Sequence, residues 1–175
     1  MKIKGLNYLQ KKYIPNIITI SRLLLSFPII IFLEINKLSF VWFLILIGGI
    51  FDYLDGYFAK KLNSKTRLGA ILDPIVDKIF IIILFSWLSI NNVIPYWSLC
   101  LIITREFLIS SLRSTKDNGL PALKIAKSKT LFQFICLLFL FFPYFNNWTI
   151  LIGLILYWIA FGLTFISIFN YLRIK

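Results

Sequence analysis

The sequence contains no histidine, only two cysteines and only seven acidic residues among 175. The lack of histidine excludes imidazole catalysis and imidazole metal ligands. Cys100 and Cys136 stand apart in apolar runs, which favours two buried thiols over a disulfide framework or a thiolate site. A carboxylate is therefore the natural choice for any base that the chain uses.

The chain is instead rich in apolar residues, with 59% hydrophobic and 18% aromatic residues and a mean hydropathy of +0.86. This composition excludes an ordinary soluble domain and predicts an all-α integral membrane protein, for which one domain over residues 1–175 is enough. The net charge of +12 would indicate nucleic acid in a soluble protein. Here the basic residues lie between apolar runs, so we expect the lipid bilayer and an anionic substrate as partners, and no nucleic acid.

Six apolar segments predict six transmembrane helices. They are residues 14–33, 40–58, 68–90, 94–112, 130–144 and 148–171. Most of them approach the ~20 residues that a spanning helix needs. Lysines and arginines fill the N-terminus, the second and fourth connections and the C-terminus, so the positive-inside rule predicts that both termini are cytoplasmic. Residues 1–13 predict a short N-terminal interfacial helix, with a flexible basic tail as the alternative.

Four of the five aspartates fall within 26 residues of segments that are otherwise apolar enough for lipid: Asp52, Asp55, Asp73 and Asp77. Carboxylates at membrane depth are costly and mark functional candidates. Their mutual repulsion is relieved most simply by hard, oxygen-seeking cations, Mg²⁺ or Mn²⁺. Separations of three and four residues place each pair on one helical face. We therefore predict two divalent cations held by the four aspartates, with helix caps or salt bridges as the alternative.

This stretch resembles the CDP-alcohol phosphatidyltransferases, whose pattern is D-x2-D-G-x2-A-R-x8-G-x3-D-x3-D. The positions that match at the family's spacing are Asp52, Asp55, Gly56, Ala59, Gly69, Asp73 and Asp77. The departure is Lys60, where the family usually has arginine. Lysine keeps the positive charge but loses the planar, two-pronged donor.

The resemblance implies transfer of a phosphatidyl group from CDP-diacylglycerol to an alcohol, with release of CMP. It implies that the four aspartates bind the metals and that Asp77 is the catalytic base. The residues it implies for binding the CDP group are Asp52, Asp55, Gly56, Ala59, Lys60, Gly69, Asp73, Asn16 and Thr19. It also implies a homodimer. The positive-inside rule places the aspartates near the cytoplasmic ends of the second and third helices, so we expect a protein of the cytoplasmic membrane whose active site faces the cytoplasm.

A second, basic cluster predicts a site for the phosphate of the acceptor, because arginine and lysine at helix ends suit a dianion. Its members are Arg105, Arg113, Lys127, Lys129 and Thr130, with Arg22 added from the first apolar run. Ordinary positive-inside charge, or an Arg22 that snorkels to the interface, is the alternative. The motif R-E-x3-S-x2-R followed by K-x-K-T resembles the glycerophosphate-using branch of the family.

The favoured acceptor is therefore sn-glycerol 3-phosphate, with inositol phosphate as the nearest rival. Serine is less favoured, because it carries no phosphate that would require the arginines. An alternative of another class is a small cation transporter that uses the acids as an ion relay. A purely structural membrane subunit is the remaining alternative.

Overall fold

The computed structural model describes residues 8–62, 67–114, 124–143 and 146–173. Six α-helices and no strand make up these ranges: α1 (Tyr8–Glu34), α2 (Leu38–Leu62), α3 (Arg67–Ile90), α4 (Tyr96–Ser114), α5 (Lys124–Leu140) and α6 (Asn147–Arg173). Each helix lies on one of the six predicted apolar segments, so the prediction of an all-helical protein is confirmed. Only the backbone is described at helix positions 8–16, 18, 55, 58–62, 67–74, 77, 111–114, 124–127 and 169–173.

The N-terminal part of the chain differs from the sequence prediction. Helix α1 begins at Tyr8 and continues to Glu34 without a break. Residues 8–13 are thus the first turns of α1 and not a separate interfacial helix, while residues 1–7 lie outside the described ranges. No glycine separates Tyr8 from Glu34, and prolines are tolerated within membrane helices.

Two tight turns, after α1 and after α3, are built in the same way around an asparagine. Asn36 and Asn92 have φ of 54° and 58°, in the left-handed region that asparagine tolerates better than most residues. The N–H of Asn36 bonds the carbonyl of Leu33 at 3.1 Å, and that of Lys37 bonds the carbonyl of Phe32 at 2.9 Å. The same pair of bonds recurs around Asn92, and this Schellman pattern satisfies carbonyls that a helix end leaves open.

The chain forms two compact units, Met1–Phe80 and Ile81–Lys175, and the boundary falls within α3. In the first unit α1 and α2 run antiparallel, and their buried positions recur at intervals of three and four. These positions are Thr19, Arg22, Ser26, Ile29 and Leu33 on α1, and Val41, Ile45 and Gly48 on α2. Near the connecting turn the stripe is apolar, and Phe32 stacks on Phe40 with ring centroids 5.0 Å apart. At its far end the stripe is polar.

Helices α2 and α3 approach closely where Gly48 meets the ring of Phe80. A Cβ atom on Gly48 would lie 2.6 Å from Phe80 Cζ. Small residues permit this kind of approach between membrane helices. The contact joins the two helices that carry the aspartate pairs.

The second unit has buried stripes with the same spacing. They comprise Ser98, Ile102, Arg105 and Ile109 on α4, Lys129, Gln133, Cys136 and Leu140 on α5, and Gly153, Tyr157, Ala160, Thr164 and Ser167 on α6. Tyr157 is fully buried, and its hydroxyl lies 2.6 Å from Ser98 Oγ. The end of this core that contains Arg105, Lys129 and Ser167 is polar.

Large apolar side chains also cover the outer surfaces of the helices. Phe27, Phe43, Phe107 and Leu131 are between 57% and 63% exposed. Apolar surface of this extent is typical of contact with lipid. Within the described ranges, one helix, Asn147–Ile168, is long and apolar enough to cross a membrane by length and composition, and three other apolar helical stretches are shorter. The count of six transmembrane helices, the topology and the single domain over 1–175 stay predictions.

Candidate active site

The aspartate pairs lie on neighbouring helices of the first unit. Helix α2 carries Asp52 and Asp55, and α3 carries Asp73 and Asp77. The Asp52 side chain is 61% exposed. For Asp55, Asp73 and Asp77, and for Asn16, Ala59, Lys60 and Gly69, the side-chain environment lies outside what the structure describes. The described side chains include no group of three or more acids, cysteines and histidines, and the four-aspartate metal site stays a prediction.

Arg22 lies against the first of these acids. Its Nη1 donates a hydrogen bond to Asp52 Oδ1 at 2.9 Å, and its side chain is only 9% exposed. The antiparallel register of α1 and α2 produces this contact, because the polar end of the buried α1 stripe meets the end of α2 that carries Asp52. The assignment of Arg22 to the acceptor phosphate stays a prediction, and in the structure its side chain contacts the acidic segment.

Two further residues of the predicted CDP site have a described environment. Thr19 is 1% exposed and lies one turn before Arg22 on the same face of α1. Gly56 lies one turn after Asp52, and a Cβ atom there would meet no described residue within 4 Å. The exposed carboxylate of Asp52 thus lies one turn from a glycine that is open on its Cα side among the described residues.

The basic cluster of the second unit is organised around Glu106. Lys129 Nζ donates to Glu106 Oε1, and Arg105 Nη1 lies 3.3 Å from Oε1 and 3.4 Å from Oε2. Arg105 Nη2 also donates to Ser167 Oγ, and the Ser167 hydroxyl donates to the carbonyl of Thr164 at 2.7 Å. The cluster thus joins α4, α5 and α6 around two buried cations.

Burial distinguishes the residues that the sequence assigned to the acceptor phosphate. Lys129 is 1% exposed and Arg105 is 5% exposed, whereas Thr130 is on the surface. The side chains of Arg113 and Lys127 lie outside the described part of the chain. The structure therefore brings Arg105 and Lys129 together, and the remaining assignments stay predictions.

Sequence reasoning missed Ser167 and Gln133, which line the same polar end of the second unit. Gln133 is 2% exposed and lies one turn after Lys129 on the buried face of α5. Two buried nitrogens, Gln133 Nε2 and Arg105 Nε, have no hydrogen-bond partner among the described residues. The available signal was the spacing of four between Lys129 and Gln133 in an otherwise apolar run.

The first unit thus carries an acidic segment on α2 and α3, and the second unit carries a buried cationic cluster at Glu106, a combination that suits cations and phosphate groups. The family model described as CDP-alcohol phosphatidyltransferase matches residues 12–166, and the chain belongs to this family. The resemblance noted in the sequence is therefore confirmed. Membership in a family of transferases sets aside the cation transporter and the structural subunit.

Relatives match the chain over nearly its whole length. A protein of Haemophilus influenzae is 36% identical over 172 residues, covering 92% of each chain. A protein of Rickettsia felis is 33% identical over 173 residues, covering 93% of this chain and 94% of its own. One of Wigglesworthia glossinidia brevipalpis is 35% identical over 173 residues, covering 92% and 93%. All three are named CDP-diacylglycerol–glycerol-3-phosphate 3-phosphatidyltransferase.

Enzymes of this family are membrane-bound and generally use a divalent metal ion. Of the four aspartates, Asp52 is the one whose side-chain environment the structure describes. Asp52 supplies an exposed carboxylate, the hard oxygen donor that Mg²⁺ and Mn²⁺ prefer, and it lies one turn before Gly56.

Proposed function

We propose that this protein transfers the phosphatidyl group of CDP-diacylglycerol to sn-glycerol 3-phosphate, giving phosphatidylglycerophosphate and CMP in phospholipid biosynthesis. The observation that carries the proposal is the set of relatives, 32–36% identical over 91–93% of the chain, that bear the name of this activity. The two buried cations at Glu106 support a phosphorylated acceptor.

In this proposal Asp52, Asp55, Asp73 and Asp77 hold two divalent cations, Mg²⁺ or Mn²⁺. When bound, these ions neutralise the pyrophosphate and make CMP a better leaving group. Asp77 takes the proton of the acceptor hydroxyl as that oxygen bonds to the lipid-side phosphorus and the bond to CMP breaks. A carboxylate is the natural base in a chain without histidine.

The residues proposed to bind the CDP group belong to the first unit. Gly56 and Ala59 leave room for the cytidine and its phosphates, Lys60 adds a positive contact, and Gly69, Asn16 and Thr19 complete the set. The lack of a described residue within 4 Å of a Cβ atom on Gly56 supports the first of these roles. The buried position of Thr19 supports a role in shaping the pocket.

The proposed acceptor site uses Arg105 and Lys129, with Arg113, Lys127 and Thr130 nearby in sequence. Two cations that share one acid suit a phosphate dianion, which favours a phosphorylated alcohol over serine. Inositol phosphate shares that phosphate and is the second candidate acceptor. The names of the relatives favour glycerol 3-phosphate over it.

We further propose six transmembrane helices in a single membrane domain over residues 1–175, with both termini and the active site facing the cytoplasm, in a homodimer in the cell membrane. The outward-facing apolar side chains support the spans. The distribution of lysine and arginine between alternate connections supports the orientation.

An acceptor panel tests the function. Purified protein in detergent is supplied with CDP-diacylglycerol and with glycerol 3-phosphate, inositol phosphate or serine, and CMP release is measured with Mg²⁺ or with excess chelator. We expect CMP release with glycerol 3-phosphate and Mg²⁺, little with serine, and none with chelator. Full activity in chelator would contradict the metal site, and faster release with inositol phosphate would reassign the acceptor.

A further inference from the structure

We propose that Glu106 is an exchangeable counterion, which holds Arg105 and Lys129 in position in the empty enzyme and is replaced on them by the phosphate group of the acceptor. The inference rests on the proposed function for the identity of that phosphate. Glu106 is in this view a positioning residue, because it acts through the two cations and not on the reacting atoms.

The cluster of Arg105, Lys129 and Glu106 has an excess of positive charge. Arg105 and Lys129 are 5% and 1% exposed, and the Glu106 side chain that both contact is 16% exposed. The three side chains together carry one net positive charge. A phosphate monoester carries close to two negative charges near neutral pH, which matches the two cations without Glu106. The cluster is therefore balanced better by a bound phosphate than by its own acid.

Two buried nitrogen atoms near the cluster could donate hydrogen bonds to a bound anion. Arg105 Nε and Gln133 Nε2 are buried without a hydrogen-bond partner in the described part of the chain. Buried N–H groups are normally satisfied, so each unsatisfied group calls for a ligand or another explanation. An anion bound beside Lys129 and Arg105 would accept hydrogen bonds from donors that Glu106 leaves unused.

The contacts of Arg105 with Glu106 are long, whereas Arg105 also has a second partner, Ser167. Its two contacts to Glu106, at 3.3 and 3.4 Å, are longer than the roughly 2.7–2.9 Å of strong charge-assisted hydrogen bonds. Its Nη2 meanwhile donates to Ser167 Oγ, an uncharged partner that is itself fully buried. Ser167 can thus keep the guanidinium in place while its acidic partner changes.

The experiment compares thermal unfolding of purified wild type and Glu106→Gln in a neutral detergent, with and without inorganic phosphate. Without phosphate, Glu106→Gln should unfold at a lower temperature, because it removes the negative charge that two buried cations share. Phosphate should bind this variant roughly tenfold more tightly than wild type, which adds about 3–6 °C to its upward shift in Tm. Glu34→Gln, at the exposed second glutamate, should behave as wild type.

An equal phosphate shift in wild type and Glu106→Gln would reduce the cluster to a structural ion pair and overturn the proposal. Ser167→Ala provides a second test that leaves every charge in place. It should raise the KM for glycerol 3-phosphate about three- to tenfold and leave kcat within about twofold. An unchanged KM would count against the proposal, whatever the stability of Glu106→Gln. Ser26→Ala, at a buried serine without a described hydrogen-bond partner, is the matched control.

Two further measurements distinguish a lipid phosphate from the acceptor phosphate, and a failure of the counterion proposal from a failure of the proposed function. Phosphatidylglycerol added to the micelles presents a lipid headgroup phosphate, and a larger gain for Glu106→Gln with this lipid than with inorganic phosphate would overturn the assignment to the acceptor. CMP release by wild type with glycerol 3-phosphate is measured in parallel. No CMP release would refute the proposed function. The phosphate-dependent unfolding of Glu106→Gln would still show whether phosphate replaces Glu106 on the two cations.

Discussion

Gly48→Ala tests whether the close approach of α2 and α3 sets the geometry of the acidic segment. The added methyl carbon would lie 2.6 Å from Phe80 Cζ, 2.9 Å from Cε2 and 3.4 Å from Cε1. Carbon atoms pack best at about 3.5–4.0 Å, so the ring or the helix must move by roughly 1 Å. Phe80 is 2% exposed, so its ring has little free space into which to move.

The expected energy follows from two opposing effects. Overpacking of a buried contact lowers the free energy of unfolding by ~1–3 kcal/mol, while replacing glycine by alanine within a helix raises it by ~0.5–1 kcal/mol. Gly162→Ala, where the methyl group would meet nothing within 4 Å, has the second effect alone. The two variants should therefore differ in stability by ~1–3 kcal/mol, which is roughly 2–12 °C in Tm.

The same displacement should reduce activity, because Gly48 lies one turn before Asp52 and Phe80 lies three residues after Asp77. We expect Gly48→Ala to need more Mg²⁺ for half-maximal CMP release and to turn over more slowly at saturation. Thermal unfolding in detergent and a Mg²⁺ titration of CMP release measure both effects. Adding Phe80→Leu to Gly48→Ala should recover part of each loss, since the shorter side chain vacates the clash. Equal Tm and equal Mg²⁺ dependence for Gly48→Ala and Gly162→Ala would refute the reasoning.

Two further variants address the acids themselves. Arg22→Gln removes a cation that competes with Mg²⁺ for the exposed carboxylate of Asp52. Because an ion pair of this kind is worth ~0–1 kcal/mol, the Mg²⁺ concentration for half-maximal activity should fall by up to about fivefold. A larger effect on the KM for glycerol 3-phosphate would instead assign Arg22 to the acceptor site. Asp77→Asn should lower kcat by at least ~100-fold while the protein still purifies as a folded membrane protein, and substantial residual turnover would remove Asp77 as the base.

The helices were predictable from the sequence because their signal is local. Apolar runs bounded by charged or asparagine-containing connections mark all six, and α2 and α3 fall on the segments that carry the aspartates. The join between residues 8–13 and α1 was not predictable in this way. Polarity indicated a change of environment after Lys12, but helical hydrogen bonding continues across that change.

The partners of the site residues depend on long-range packing, which spacing along one helix does not encode. Arg22 and Asp52 are 30 residues apart and meet through the register of the α1–α2 hairpin. Glu106 and Ser167 likewise contact Lys129 and Arg105 across helices. The sequence singled out Arg105, which lies next to an acid, and Lys129, but spacing along one helix could not show that both side chains contact Glu106.

The ion pairs also bear on how the chain enters the bilayer during synthesis. Arg22 pairs with Asp52 across α1 and α2, and Lys129 pairs with Glu106 across α4 and α5, so each link joins helices that emerge consecutively from the ribosome. Arg22 lies near the middle of the predicted first span, residues 14–33, where a lone arginine costs ~2.5–3.5 kcal/mol, whereas Lys129 lies near the start of α5. If α1 and α2 span the bilayer as proposed, insertion of their hairpin with Arg22 paired to Asp52 would reduce that cost, whereas Asn147–Ile168 is apolar enough to cross without such a pair.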